Sequence, residues 1–362
     1  MDFGFTPEQE MLRDAARKFL AAEYPAAVPR AAMETADAHD PSRWRSLAEL
    51  GWLGILVPAD LGGQGGTFLD MAVVLEESGK ALVPGPFFAT AVLGTLALCD
   101  AGTPAQRERL LPALAAGERI ATVALGVAGE PPGVTLAADG RAGGQVSFVM
   151  DPQPANVVVV AVRRADGAPA LVLVDRAAAG LTVTPLHTVD MTRRLCTVTL
   201  RDVACEPLGD ADAARVIRRL AEHACAGLAL ELVGVGQRAL ELSVAYALER
   251  TQFGRPIGSF QAIKHKCVDM MVQVETARSL AYYAAWAVSE DAPDAGRAAA
   301  MAKAYAGEMA KTVTSEAIQV HGGIGFTWEH ELHLYYRRAL AADAAFGAAP
   351  AHRETIVAPL VR

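Results

Sequence analysis

The spacing of apolar residues changes twice along this chain, and that double switch limits the fold more than any single motif does. From Thr6 to about Ala116 they recur at helical spacing, as in Met11, Leu12, Ala15, Ala16 and Phe19, with Thr6-Pro7 as a cap and first-turn pair. Between Glu118 and Asp210 short β-branched runs take over: ATVALGV, QVSFVM, NVVVVAV, ALVLVD, LTVTPL and CTVTLRDV, bounded by Gly, Pro and Asp. No helical stretch separates these runs and no GxGxxG occurs, so a meander or barrel is expected rather than a Rossmann array. Helical spacing then returns over 213–249, 260–289, 295–320, 328–342 and 350–360. The expectation is an α+β multidomain chain: an N-terminal helical domain (1–116), a central β-barrel-like domain (117–210) and a C-terminal four-helix bundle (211–362). Within the first part GWLGILVPADLGGQGG (51–66), with six glycines and Pro58, requires a loop.

At 362 residues and 52% apolar, the chain fills a large core without a metal or disulfide staple. Its five cysteines are odd in number, scattered and free of CxxC spacing, and read as reduced core thiols of a cytoplasmic protein. A net charge of −8 leaves no electrostatic footprint for nucleic acid. Asp2, Glu8 and Glu10 stand where an export signal is basic and then apolar, and no window reaches the ~20 apolar residues of a membrane span. Neither export nor membrane insertion is expected. The C-terminal helices carry Ala, Leu and Met on most faces, more than a lone bundle needs, which points to burial against other subunits.

Two stretches are specific. In YALERTQFGRPIGSFQ (246–261) a helix ends near Arg250, a loop turns through Gly254, Pro256 and Gly258, and a new helix starts near Ser259. In AIQVHGGIGFTWEHELHLYYRRA (317–339) a helix stops at His321-Gly322-Gly323. Arg250 is suited to offset a helix dipole and the glycine pair to cap a helix. Equally, exposed backbone N–H groups with Gln319 nearby suit a phosphate or an adenine edge.

Together, in this order and about two helices apart, the stretches resemble the acyl-CoA dehydrogenase family, and the resemblance extends over the whole chain through LGWLGILVPADLGGQGGTFLDMAVVLEESGKAL, LLPALAAGERIAT and VDMTRRLCTVTLRDV. It implies FAD as cofactor, oxidation of the α,β bond of an acyl-CoA thioester, tetramer formation and an electron-transfer acceptor. A carboxylate base removes the α proton while the β hydrogen leaves as hydride. It also implies that Arg250, Gln252, Phe253, Gln261, Gln319, Gly322 and Gly323 contact FAD, the Arg-x-x-Phe-Gly and Gln-x-x-Gly-Gly segments reaching the cofactor of a neighbouring subunit.

The sequence departs from the family where the chemistry is done. The usual base is the Glu of a Tyr-Glu-Gly-Thr stretch about 24 residues beyond the glycine pair, and counting from Gly322 gives Phe346, followed by Gly347. The other known position lies 26 residues ahead of Arg250, immediately before an Arg; here the two are Ala224 and Cys225. The flavin-facing Thr-Glu-Pro becomes Gly129-Glu130-Pro131, Trp-Ile-Thr becomes Phe148-Val149-Met150, and the Thr and Gln after the glycine become Ala348 and Pro350. What survives is the part that faces a neighbour. The chain therefore resembles the base-less subunit of heteromeric bacterial dehydrogenases of the steroid side-chain type, a heterotetramer in which a homologous subunit is catalytic. The alternatives are a self-sufficient homo-oligomer with a relocated base and a non-enzymatic acyl-CoA-binding or scaffolding protein. For a relocated base Glu231 is the first candidate, on the helix face of Ala224 but ~10 Å along the axis. Glu222 points away, His223 is rotated by ~100°, and Asp343 lies three residues before Phe346.

Overall fold

Local signals set the first helices. Thr6 accepts from the Gln9 backbone N–H while the Gln9 side chain accepts from the Thr6 N–H, and Thr103 and Gln106 repeat this reciprocal cap. Asp40 caps a third helix through Ser42 and Arg43. The computed structural model describes residues 4–126, 132–209, 212–358 and 361. Gly129, Glu130 and Pro131 lie outside the described residues.

Helices α1 (Pro7–Glu23), α2 (Ala27–Met33), α3 (Pro41–Glu49), α4 (Phe68–Lys80), α5 (Thr95–Ala101) and α6 (Pro104–Ala115) come first. The glycine-rich stretch 51–66 is a knitted loop with two 3-10 turns, Trp52–Gly54 and Ala59–Leu61. Strands β1 (Ala121–Ala124), β2 (Val134–Leu136), β3 (Arg141–Met150), β4 (Val157–Arg163), β5 (Pro169–Asp175), β6 (Leu181–Pro185), β7 (Leu195–Ala204) and β8 (Glu206–Pro207) form one sheet in the order β6-β7-β3-β2-β4-β5-β8, with β1 on β4. The sheet is not a plain meander, because β4 runs parallel to both β1 and β2. Burial of Val157 to Val162 without a break matches a strand covered on both faces. Val158, Val160, Val162, Val172, Val174 and Val198 are at most 1% exposed, each stabilising the fold by about 1.5–3 kcal/mol relative to exposure.

The rest is helical: α7 (Ala213–Glu249), a short hairpin of β9 (Thr251–Gln252) and β10 (Arg255–Pro256), then α8 (Gln261–Ser289), α9 (Ala295–His321), α10 (Leu332–Ala344) and α11 (Ala349–Val357). The fold is the expected one of N-terminal helices, curled central sheet and C-terminal helical bundle. Helix α10 starts later than the apolar spacing predicts: the His330 ring nitrogen Nδ1 accepts the Leu332 N–H, and Trp328 stacks on His333 at 4.5 Å, so 328–331 form a turn instead.

Cα packing groups the chain into two compact units, Met1–Val28 with Ala72–Val83 and Cys225–Arg362, and Pro29–Met71 with Pro84–Ala224. In the first, α4 and α7 meet backbone to backbone. A Cβ on Gly79 would lie 2.1 Å from the Glu231 carbonyl oxygen, and one on Gly234 would lie 2.0 Å from that of Glu76. Only glycine permits this approach. Beside it, the buried Glu76 carboxylate accepts from Arg278 Nε at 3.0 Å and from Tyr282 Oη at 2.8 Å, while Arg17 reaches Glu77 at 2.9 Å. Pairing with Arg278 and Tyr282 offsets part of the desolvation cost of burying this carboxylate.

Candidate functional site

The two motif stretches come together at one end of the bundle. Helix α7 ends at Glu249 and α9 at His321, and one turn before Arg250 the Tyr246 ring stacks on His321 at 4.4 Å. Gly322, at φ +62 and ψ −138, ends α9 in a conformation that an L side chain rarely adopts. Around this end Arg250, Gln252, Gln261, Gln319, Gly322 and Gly323 are all exposed, and Phe253 is 91% exposed at φ +53. The Arg250 guanidinium makes no ion pair or hydrogen bond among the described residues, only its backbone being held, the N–H by Tyr246 O and the carbonyl by Ile257 N–H, both at 2.8 Å. A Cβ built on Gly322 or Gly323 meets nothing within 4 Å. This is an open cradle with one uncommitted guanidinium, which suits a diphosphate.

At the positions of the usual base the chain has a buried Ala224 and a half-buried Phe346. Ala224 is fully buried on α7, and its neighbour Cys225 has Sγ 3.9 Å from the Phe346 carbonyl oxygen and 4.0 Å from His352 Nε2. His352 Nε2 lies 2.9 Å from the Gly347 carbonyl oxygen, to which its N–H donates. Lys303, fully buried on α9, donates from Nζ to the carbonyls of Asp343 at 2.8 Å and Gly347 at 3.2 Å. Asp343, 8% exposed, takes an ion pair from Lys311 at 2.6 Å. Four side chains thus tie down a turn of five residues, with Phe346 held at φ +56. Burial lowers the affinity of Lys303 for its proton, and burial followed by the nearby Lys303 charge does the same to His352.

Other candidates are committed elsewhere. Glu231 is 2% exposed at the α4–α7 crossing. The His223 ring packs edge-on against Phe68 at 4.9 Å, with Nδ1 2.8 Å from Arg219 O. Lys303 and His352 did not emerge from the sequence. Lys303 lies on the apolar face of an alanine-rich helix, where a lone charge is the one available signal; His352 carries none. On the sheet, a bulge between Val146 and Val149 pushes Phe148 out at φ +61 and 66% exposure, while Met150 is 5% exposed. The strand end therefore offers apolar side chains at 148–150. Burial pushes the thiols of Cys99 and Cys196 up to about 11 and raises that of Cys205 and Cys267, which disfavours the reactive thiolate.

A helical region before a curled sheet and a long-helix bundle after it, with an open loop pair at the bundle end, define a flavin-type dehydrogenase fold. Residues 6–118 match the model of the acyl-CoA dehydrogenase N-terminal domain and residues 214–360 that of the C-terminal domain. The chain is 37% identical to acyl-CoA dehydrogenase IpdE2 of Mycolicibacterium smegmatis over 341 residues, 94% of each protein. Among solved structures, it resembles the ChsE4-ChsE5 complex from Mycobacterium tuberculosis (29% identity, TM-score 0.92, 100% and 99% of the two chains). It also resembles the Tcur3481-Tcur3483 steroid ACAD (31% identity, TM-score 0.89, 98% of each chain). The chain belongs to the acyl-CoA dehydrogenase family, flavoprotein oxidoreductases that act on the CH–CH bond of an acyl-CoA with FAD as cofactor. No helix among the described residues is long and apolar enough to cross a membrane.

Proposed function

We propose that this chain is the base-less subunit of a heteromeric acyl-CoA dehydrogenase and completes the FAD site of a homologous catalytic subunit. The observation that carries this reading is the closed turn at Asp343–Gly347. Phe346 stands at one base position and Ala224 at the other, and Cys225, Lys303 and His352 are engaged with the backbone of the turn. When bound, FAD accepts the β-hydride of the acyl-CoA. The residues of this chain hold rather than react. Arg250 offers a bidentate fork to the diphosphate, Gly322 and Gly323 allow close backbone approach, and Gln252, Phe253, Gln261 and Gln319 border the nucleotide.

Several observations support a partner. Leu248, Val268, Met271, Val272 and Met301 are between 36% and 68% exposed on α7, α8 and α9, a load of apolar surface suited to burial against another bundle. Two solved relatives are themselves two-component assemblies, the ChsE4-ChsE5 complex and the Tcur3481-Tcur3483 steroid ACAD. The second supports a steroid-derived acyl-CoA as the substrate class. The test is purification of the chain alone and with a homologous subunit that carries the carboxylate, scored by flavin absorbance, subunit ratio and acyl-CoA oxidation. The chain alone is expected to hold little FAD and to turn over nothing. A yellow, active homo-oligomer would overturn the proposal.

A further inference from the structure

The end of β3 opposite Phe148 carries a second constellation. Two hairpin turns are brought side by side there by the parallel pairing of Thr135 with Arg163. The turn between β2 and β3 closes through Ala137 N–H to Arg141 O at 2.8 Å, with Gly140 at φ +80. The one between β4 and β5 closes through Arg164 N–H to Ala168 O at 2.9 Å, with Gly167 at φ +85. Between them lies a basin of about 570 Å³.

The basin has a charge imbalance. Three arginines line it, against two aspartates. Arg141 is already neutralised, its Nε donating to Asp202 at 2.7 Å and Nη2 to the Asp202 carbonyl. Asp139 accepts the Arg141 backbone N–H at 3.2 Å, and Asp166 in the neighbouring turn accepts that of Ala168 at 2.9 Å. Arg163 and Arg164 are exposed, and neither side chain makes an ion pair or hydrogen bond among the described residues. Gly143 lines the basin as well, and a Cβ on it or on Gly167 would meet nothing within 4 Å, so a ligand can approach the backbone on both sides. Arg163 and Arg164 follow one another at the end of β4 and both line the basin, and a guanidinium's planar fork matches phosphate oxygens. Counted along β3, the basin is roughly 17–30 Å from the Phe148–Met150 end at 3.3 Å per residue.

We propose that this basin binds a phosphate-bearing small molecule, with Arg163 and Arg164 supplying the positive charge that holds its phosphoryl group. The inference is independent of the proposed FAD role, since none of the residues implicated there lines the basin. Free phosphate and the phosphorylated nucleoside of a nucleotide share the required chemistry.

The experiment is isothermal titration of the full chain, at low ionic strength, with 3′,5′-ADP and separately with inorganic phosphate. The same titrations are run on the Arg163→Gln/Arg164→Gln double variant and on Arg109→Gln, an exposed arginine of the same unit paired with Glu206. Saturable binding is expected in the wild type and in Arg109→Gln, weakened at least about tenfold in the double variant and by added salt in all three proteins. Tighter binding of 3′,5′-ADP than of phosphate identifies a nucleotide as the source of the phosphoryl group, whereas equal affinity identifies the free anion. Thermal melts confirm that the double variant is folded. No saturable binding of either probe to the wild type, or an equal loss in Arg109→Gln, would overturn the proposal.

Discussion

Two turns of the bundle, both attached to the same helix α9, differ in what their polar groups are doing. At the α9 C-terminus Gly322 and Gly323 are exposed, Arg250 nearby has an uncommitted guanidinium, and almost nothing packs on the loop. At the other, Lys303 and Lys311 on α9, with Cys225 and His352, hold the Asp343–Gly347 turn. An exposed guanidinium and an open backbone are left free for a ligand or partner, whereas a hydrogen-bonded turn serves stability. The family's chemistry would ask for the reverse at the second turn, a carboxylate free to take a proton.

The sharpest way to break this contrast is at the closed turn. Lys303→Met leaves the Asp343 carbonyl without its donor and the Gly347 carbonyl with His352 alone, and is expected to lower unfolding stability by about 2 kcal/mol, measured by urea titration. A change under about 0.5 kcal/mol, the range of ordinary surface substitutions, would mean that these bonds do not hold the turn.

Gly323→Val sharpens the other side. With no atom near its Cβ and no positive φ, the substitution should leave the melting temperature of the isolated chain unchanged. In the mixed complex it should reduce flavin content several-fold, because the added bulk meets only what the partner brings. A drop in melting temperature with flavin content intact would place the constraint inside this chain.

A smaller effect follows from pH. Burial lowers the proton affinity of His352, as it does for His39 and His321. The unfolded chain takes up protons below the ordinary histidine value of about 6.5, while the folded chain resists. Stability should therefore fall as pH drops through 6.5 toward the lower folded value, and be retained above it. His352→Gln should flatten that slope in part, His39 and His321 keeping the remainder. An unchanged slope would show that His352 is not held neutral.

The smallest expected effect is none at all. Phe346→Glu restores a carboxylate but leaves Phe148 and Met150 at the strand end and Ala348 and Pro350 beyond the turn, so the isolated chain should stay inactive toward acyl-CoA. Substantial turnover in that variant would show the apolar strand end to be competent.

Much of the fold was legible because its determinants are local. Thr6 and Thr103 announce helix starts, the glycine pair after His321 ends α9, and the valine run 157–162 reads as a buried strand. Strand β2 escaped notice because three residues carry no period, and its pairing depends on β3 and β4, which lie later in the chain. The start of α10 was misjudged because a ring nitrogen, not an apolar period, caps it. The candidate site divides along the same line. Arg250 and Gly322 announce themselves by their neighbours in sequence, whereas Lys303 and His352 acquire meaning only when α9 and α11 bring them to one turn.

The central claim is that this chain holds a partner's cofactor and supplies no base. It is tested most directly by comparing Arg250→Ala with Glu231→Gln in the complex co-purified with a carboxylate-bearing homologue, scored by flavin content, subunit ratio and turnover at saturating FAD. The account expects Arg250→Ala to lower flavin content at least about tenfold, the loss of a charge-assisted bidentate contact, with assembly intact, and Glu231→Gln to leave turnover nearly unaltered. If Glu231→Gln abolishes turnover while flavin and assembly are retained, the base resides in this chain and the account is wrong.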